Sequence, residues 1–225
     1  MKQLVTTAII LSRTDYGEAD RILTLLTPEY GKLRLLAKGV RRIKSKLAGG
    51  IELFSVSHIT FVKGRGEMGT LISTRLEKHY ASIAKDLQRT MTGYELIKQL
   101  HKHTEDHPES EYFTLLHQAF EALNDAQIPL PLIQFWFDVQ ILRLSGHSPN
   151  LQEDARGDRL VEGQCYQFDY SATGFIPSEE GVFSSNHIKF LRLTLAGNIP
   201  KALCQVQGCT SLIQDCLPLL RALKA

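Results

Sequence analysis

The sequence predicts an α+β chain in which a five-stranded barrel of the oligonucleotide-binding type, the OB-fold, precedes a mostly α-helical domain. Three observations carry this. Residues 1–80 hold short β-branched runs with period-two alternation, separated by turn residues. Near residue 80 the apolar period changes to three or four. Charge changes at the same point. Residues 1–80 hold 14 Lys and Arg against 7 Asp and Glu, and residues 81–225 hold 12 against 17, so the formal +2 is +7 on one part and −5 on the other. The expected domains are therefore 1–80, a nucleic-acid-binding barrel, and 81–225, a helical body.

The first predicted strand is Leu4–Leu11, followed by turn chemistry at Asp15-Tyr16-Gly17. Arg21–Thr27 is the second, closed by Pro28-Glu29-Tyr30-Gly31. Lys32–Lys38 is the third, where Lys32 and Arg34 alternate with Leu33 and Leu35, one wet face and one buried face. A fourth strand at about Glu52–Val62 and a fifth at about Gly69–Leu76 are joined by Lys63-Gly64-Arg65-Gly66-Glu67. Five short strands in so few residues, with no helix-length pattern between most of them, fit a small closed barrel.

Beyond residue 80, Ser82–His103 carries Ile83, Leu87, Met91, Tyr94, Ile97 and Leu100 and is predicted as one amphipathic helix. Tyr112–Leu123 repeats the pattern. Leu130–Ser145 is more apolar than the preceding helices and is expected to be central, with Pro131 in its first turn and Gly146 just past its end. Residues 150–182 are mixed, with a strand-like Gln164–Tyr170. Ser184–Leu195 and Thr210–Leu223 read as helices, the last kinked or broken by Pro218.

Composition sets further bounds. At 43% hydrophobic and 22% charged, the chain has the make-up of an ordinary globular protein with a real core. No apolar run approaches the 18 residues of a membrane span, so no membrane association is expected. Met1-Lys2-Gln3 leads straight into a strand-like pattern without a signal-peptide h-region, so a cytoplasmic location is expected. The four cysteines are expected to be reduced thiols.

Most motifs yield to structural readings. Gly64-Arg65-Gly66-Glu67-Met68-Gly69 spells G-x-G-x-x-G, but strand formers follow it where a dinucleotide site needs a helix, so it reads as a hairpin turn. Asp15, Glu18 and Asp20 lie in a strand connection, with Arg13 and Arg21 as expected ion partners, and read as turn residues rather than catalytic acids. His101, His103 and His107 cluster near a helix end, but His101 and His103 are two apart and do not share a helix face as an i, i+4 metal pair does, so the cluster reads as a solvated helix terminus. Cys165, Cys204, Cys209 and Cys216 form no C-x-x-C pair. Neither a phosphate loop nor a G-x-S-x-G elbow is present, so neither an enzyme nor a cofactor is expected.

The basic stretch stands apart. Lys32, Arg34, Lys38, Arg41, Arg42, Lys44 and Lys46 fall in fifteen residues without one acid. A line of uncompensated cations along a barrel face is the electrostatic track that a nucleic-acid backbone follows. Tyr16, Phe54 and Phe61 are candidate stacking platforms or core residues.

The run Ala8-Ile9-Ile10-Leu11-Ser12-Arg13-Thr14-Asp15-Tyr16-Gly17-Glu18-Ala19-Asp20-Arg21-Ile22 resembles the opening of the RecO family of bacterial recombination mediators. Tyr30-Gly31-Lys32-Leu33, the string Ala37-Lys38-Gly39-Val40-Arg41-Arg42 with Lys44–Gly49, and Gly69-Thr70-Leu71 share the likeness, as does Leu142–His147 with Pro149 and Leu151. The resemblance is strongest in residues 8–49 and fades after 151. It implies DNA repair and recombination: binding of single- and double-stranded DNA, annealing of complementary strands, and, with RecR, loading of RecA in the RecFOR pathway. It further implies a nucleoid-associated protein whose helical domain docks the C-terminal tail of single-strand-binding protein. Many relatives carry a four-cysteine zinc site. Here the first pair is missing around Gln152–Arg159 and the second is replaced by Ser184 and His187, so a degenerate, zinc-free insert is expected at about 150–187. The alternative from another class is an RNA-binding OB-fold factor of translation or RNA processing.

Overall fold

A computed structural model of the chain describes residues 2–64, 66–104 and 110–224. Its first strand, β1 (Gln3–Tyr16), is long enough to serve two neighbours. It pairs with β4 (Ser55–Val62) from Gln3↔Val62 to Ile9↔Val56, and with β2 (Asp20–Thr27) from Ile9↔Leu26 to Tyr16↔Asp20. A register shift between Ile10 and Ser12 bends the strand from one partner to the other. β3 (Gly31–Ala37) continues antiparallel from β2 and meets β5 (Met68–His79) in parallel over Arg34–Leu36 and Met68–Thr70. The order β1-β2-β3-β5-β4 closes into a barrel, the expected OB-type architecture.

Alternation fills the barrel. Ala8, Ile10, Leu25, Leu35, Ile59 and Phe61 point inward and are essentially inaccessible. Ile9, Leu26 and Val56, of the opposite parity, are buried as well. The reason is a helical layer: α1 (Ala81–Lys85), α2 (Leu87–His103) and α3 (Ser110–Asn124), of which α3 packs on β2. Phe54, Tyr80 and Phe120 form the seam, with ring centroids 5.4 Å (Phe54–Phe120) and 5.8 Å (Tyr80–Phe120) apart. The barrel and these helices make one compact unit, Met1–Ala126, and Gln127–Ala225 makes a second. The period change near residue 80 thus marks the end of the barrel, while the compact unit continues to Ala126.

The single helix predicted over 82–103 is two helices. Asp86 stops α1 and caps α2, its carboxylate accepting the Arg89 N–H at 3.0 Å. The break rotates the buried face: Thr92, Gly93, Leu96, Ile97 and Leu100 are buried, whereas Leu87, Met91 and Tyr94 are exposed. Arg89 is buried too. Its guanidinium donates to the carbonyls of Leu123 (2.8 Å), Asp125 (3.0 Å) and Ala126 (3.1 Å), at the end of α3 where carbonyls lack helical partners.

In the second unit α4 (Leu130–Leu144) is the buried centre, with Pro131 in its first turn and Gly146 in the left-handed region beyond it. Against it pack α5 (Ser185–Leu195), α6 (Pro200–Leu203) and α7 (Cys209–Leu223). Pro218 does not end α7: Leu212, Ile213, Cys216, Leu219 and Leu220 are buried on both sides of it, and this packing outweighs the lost hydrogen bond. The mixed segment holds a two-stranded sheet, β6 (Tyr166–Asp169) with β7 (Gly174–Pro177); β7 and α6 had no clear sequence pattern.

Candidate nucleic-acid interface

The basic stretch begins on β3 and continues through the connection to β4. Gly39, at φ 64°, turns the chain off the strand. Its N–H donates to Asp20 Oδ1 at 2.7 Å, and the Arg41 N–H donates to the Ala19 carbonyl at 2.9 Å. The connection is therefore tied to the β1–β2 hairpin, with Val40 buried and Leu47 packed on the barrel core. Asp20 serves this anchor, as the turn reading of the acidic cluster expects.

The seven cations separate into three kinds. Lys38, Arg42, Lys44 and Lys46 are exposed, and their side chains have no partner among the described residues. Arg34 is exposed on the outer face of β3. Lys32 and Arg41 are engaged. Lys32 Nζ lies 3.4 Å from the His101 carbonyl at the C-terminal turn of α2, and burial, reinforced by Lys32, lowers the His101 pKa. Arg41 Nε lies 3.5 Å from Asp15 Oδ2, and its Nη1 is 3.5 Å from the Gly17 carbonyl. Asp15 is held below the usual carboxylate range, mainly by the hydrogen bond from Arg21 at 2.8 Å, with Arg41 and Arg21 adding charge attraction. Arg41 is thus not an uncompensated cation. Arg13 makes its ion pair with Glu52 at 2.7 Å and acts on Asp15 only by charge attraction, as the smallest of the effects that lower its pKa.

At the other end of β3, a cleft of about 380 Å³ opens where β3 and β5 part. Lys32, Arg34 and Lys63 supply its positive charge, Glu67 one negative charge, and Tyr30 and Phe61 its rings. Lys63 Nζ sits 5.5 Å from the Tyr30 ring centroid, within cation–π range. Lys63 carried no sequence signal beyond its place in a turn, and Tyr30 only its place in a turn and in the family-like string Tyr30–Leu33. Of the proposed stacking residues, Tyr16 is exposed, whereas Phe54 and Phe61 are buried in the seam and the barrel core.

The G-x-G-x-x-G segment joins β4 to β5, with Arg65 outside the described residues. A Cβ on Gly69 would lie 2.7 Å from the Val62 carbonyl oxygen and 2.8 Å from Leu35, so this glycine serves strand approach. His107 also lies outside the described residues. All four cysteines are free thiols, and burial pushes the Cys216 thiol up to about 12.

Ser184 and His187 meet at the start of α5. Ser184 Oγ is 2.9 Å from His187 Nδ1, which also accepts the Ser184 N–H at 3.1 Å; Nε2 lies 3.1 Å from Asp215 Oδ2 on α7. Both ring nitrogens are therefore engaged in hydrogen bonds. This donor set does not fit a four-coordinate zinc, and no group of three potential metal ligands occurs among the described residues. No helix among the described residues is long and apolar enough to cross a membrane.

A family model described as Recombination protein O N terminal matches residues 1–80, and one described as Recombination protein O C terminal matches residues 93–222. The chain is similar to the DNA repair protein RecO of Dehalococcoides mccartyi (strain ATCC BAA-2266 / KCTC 15142 / 195), 32% identical over 202 residues that cover 87% of this chain and 79% of the relative. It is also similar to the DNA repair protein RecO of Desulfatibacillum aliphaticivorans, 30% identical over 190 residues, 81% of this chain and 73% of the relative.

Proposed function

Because the chain belongs to the RecO family of DNA repair proteins, we propose that its barrel holds DNA strands for annealing through the cations of the β3–β4 connection. A role in DNA repair and recombination comes with the family; no catalytic family is among the matches. The observation that supports the mechanism is the free set Lys38, Arg42, Lys44 and Lys46, extended by Arg34 along β3. Cations on one face neutralise phosphates of two strands at once, so complementary strands approach despite their repulsion. Arg41 and Lys32 take a smaller part, because each is engaged within the fold.

In this reading the protein binds single- and double-stranded DNA, and with RecR it assists RecA loading on DNA coated by single-strand-binding protein. The helical unit receives the C-terminal tail of single-strand-binding protein. No metal is used, the Ser184–His187–Asp215 hydrogen bonds joining α5 to α7 in its place. One experiment tests the assignment: a pull-down of the full chain with the acidic tail peptide, beside competition between RNA and single-stranded DNA. Capture by the peptide and preference for DNA support the mediator; no capture with RNA preferred would assign an RNA-binding factor instead.

A further inference from the structure

Ile43 stands at the centre of the basic loop, between Arg42 and Lys44, and its side chain is fully exposed. Its surroundings are not loosely held. The Arg42 N–H bonds to the Gly39 carbonyl at 3.1 Å and the Ser45 N–H bonds to the Arg42 carbonyl at 2.9 Å, two successive turns. Apolar neighbours on either side, Val40 and Leu47, pack on the barrel core. Ile43 therefore occupies the second position of a hydrogen-bonded turn, between two anchors, and is held away from every apolar surface of its own unit.

Local geometry gives no reason for isoleucine there, since turn corners are dominated by Gly, Pro, Asn, Asp and Ser. Burial gives none either. What surrounds it is charge: exposed Arg42, Lys44 and Lys46, plus Arg41, with no acid from residue 32 to 46. Such a ring attracts a polyanion, and the apolar matter that a polyanionic strand offers at that distance is the faces of its bases. Aliphatic side chains of this type enter between bases and unstack them in other DNA-binding proteins.

We infer that Ile43 is a wedge that enters between adjacent bases of the bound DNA strand while the flanking cations hold its phosphates. This rests on the nucleic-acid reading of the loop and adds a contact to bases, which the cations do not provide. An unstacked strand presents its base edges, the state from which pairing with a complement begins.

The test uses the full chain and a single strand carrying one 2-aminopurine. Wild type should raise the 2-aminopurine emission on binding. Ile43→Ser, a good turn former, should abolish that rise and weaken binding roughly three- to thirtyfold, the factor expected for partial to full loss of one buried aliphatic side chain. Its salt dependence should be unchanged, because no phosphate contact is lost. Ile43→Trp should show quenched indole emission with the strand, against the buried background of Trp136. Unchanged affinity and emission in Ile43→Ser, while Lys44→Glu flattens the salt dependence, would overturn the wedge and leave the loop reading intact. Absence of DNA binding by wild type at low salt would overturn both. A blue shift of Ile43→Trp on anionic phosphatidylserine vesicles, without response to DNA, would assign the residue to a membrane surface and overturn the wedge.

Discussion

Arg41 Nε lies 3.5 Å from Asp15 Oδ2, so the β1–β2 hairpin holds one of the loop's cations by its own carboxylate. Both side chains are substantially exposed, and such pairs are weak. The consequence lies in binding rather than stability. Asp15→Asn should release Arg41, tighten DNA binding, and steepen the log–log salt dependence for single strands by up to about 0.7. A titration of affinity against salt checks this.

The same pair sets a pH expectation. Asp15 is held below its ordinary 3.8, chiefly by the Arg21 hydrogen bond. A lowered carboxyl pKa contributes its interaction above the unfolded value and loses it only as pH falls through the folded one. Between about pH 7 and 5 the carboxylate therefore stays charged. Acidification over that range should not reproduce the Asp15→Asn gain; binding measured at both values, in the variant and the wild type, decides it.

Substitutions of the free cations should rank above those of the engaged ones. Lys44→Ala and Lys46→Ala should each lower the single-strand salt slope by about 0.7, the value of one phosphate contact. Lys32→Ala should lower it by less, because its Nζ lies 3.4 Å from the His101 carbonyl. Equal slopes for all three would show that Lys32 leaves α2 to reach DNA.

His101 supplies a pH effect on stability. Burial, then Lys32, lowers its pKa below 6.5, so the unfolded chain takes up the proton first. Stability from this group is complete above about 6.5 and declines as pH falls below it. His101→Asn should make the urea midpoint less sensitive to pH between about 7 and 5.

Gly93 packs against the barrel seam. A Cβ there would lie 2.6 Å from Phe54 Cε1, a ring already fixed against Phe120 and Tyr94. Gly93→Ala should cost about 1–3 kcal/mol by overpacking, despite the better helix propensity of alanine. Gly49→Ala, where nothing lies within 4 Å, is the control and should be close to neutral in the same urea titration.

How far the sequence reached differs between elements. The barrel strands and α4 were legible because alternation and a high density of apolar residues are local records of burial. The break at Asp86 was not, since the apolar spacing continues through Leu87, Met91 and Tyr94, and only the packing of α2 on the seam shows that another face is buried. Arg89 illustrates the same limit: nothing in its neighbourhood marks it as buried, because the carbonyls that receive it are 34 to 37 residues away.

For the basic stretch, the position, the sign and the density of charge follow from the order of residues along the chain, since these are properties of a contiguous run. Which cations are free was decided by the tertiary structure alone. The fold brings Asp15 to Arg41 and the end of α2 to Lys32, the latter across 69 residues, and leaves Lys38, Arg42, Lys44 and Lys46 facing solvent. Charge is written residue by residue, but its compensation depends on groups within a few ångströms in space, and only chain closure puts them there.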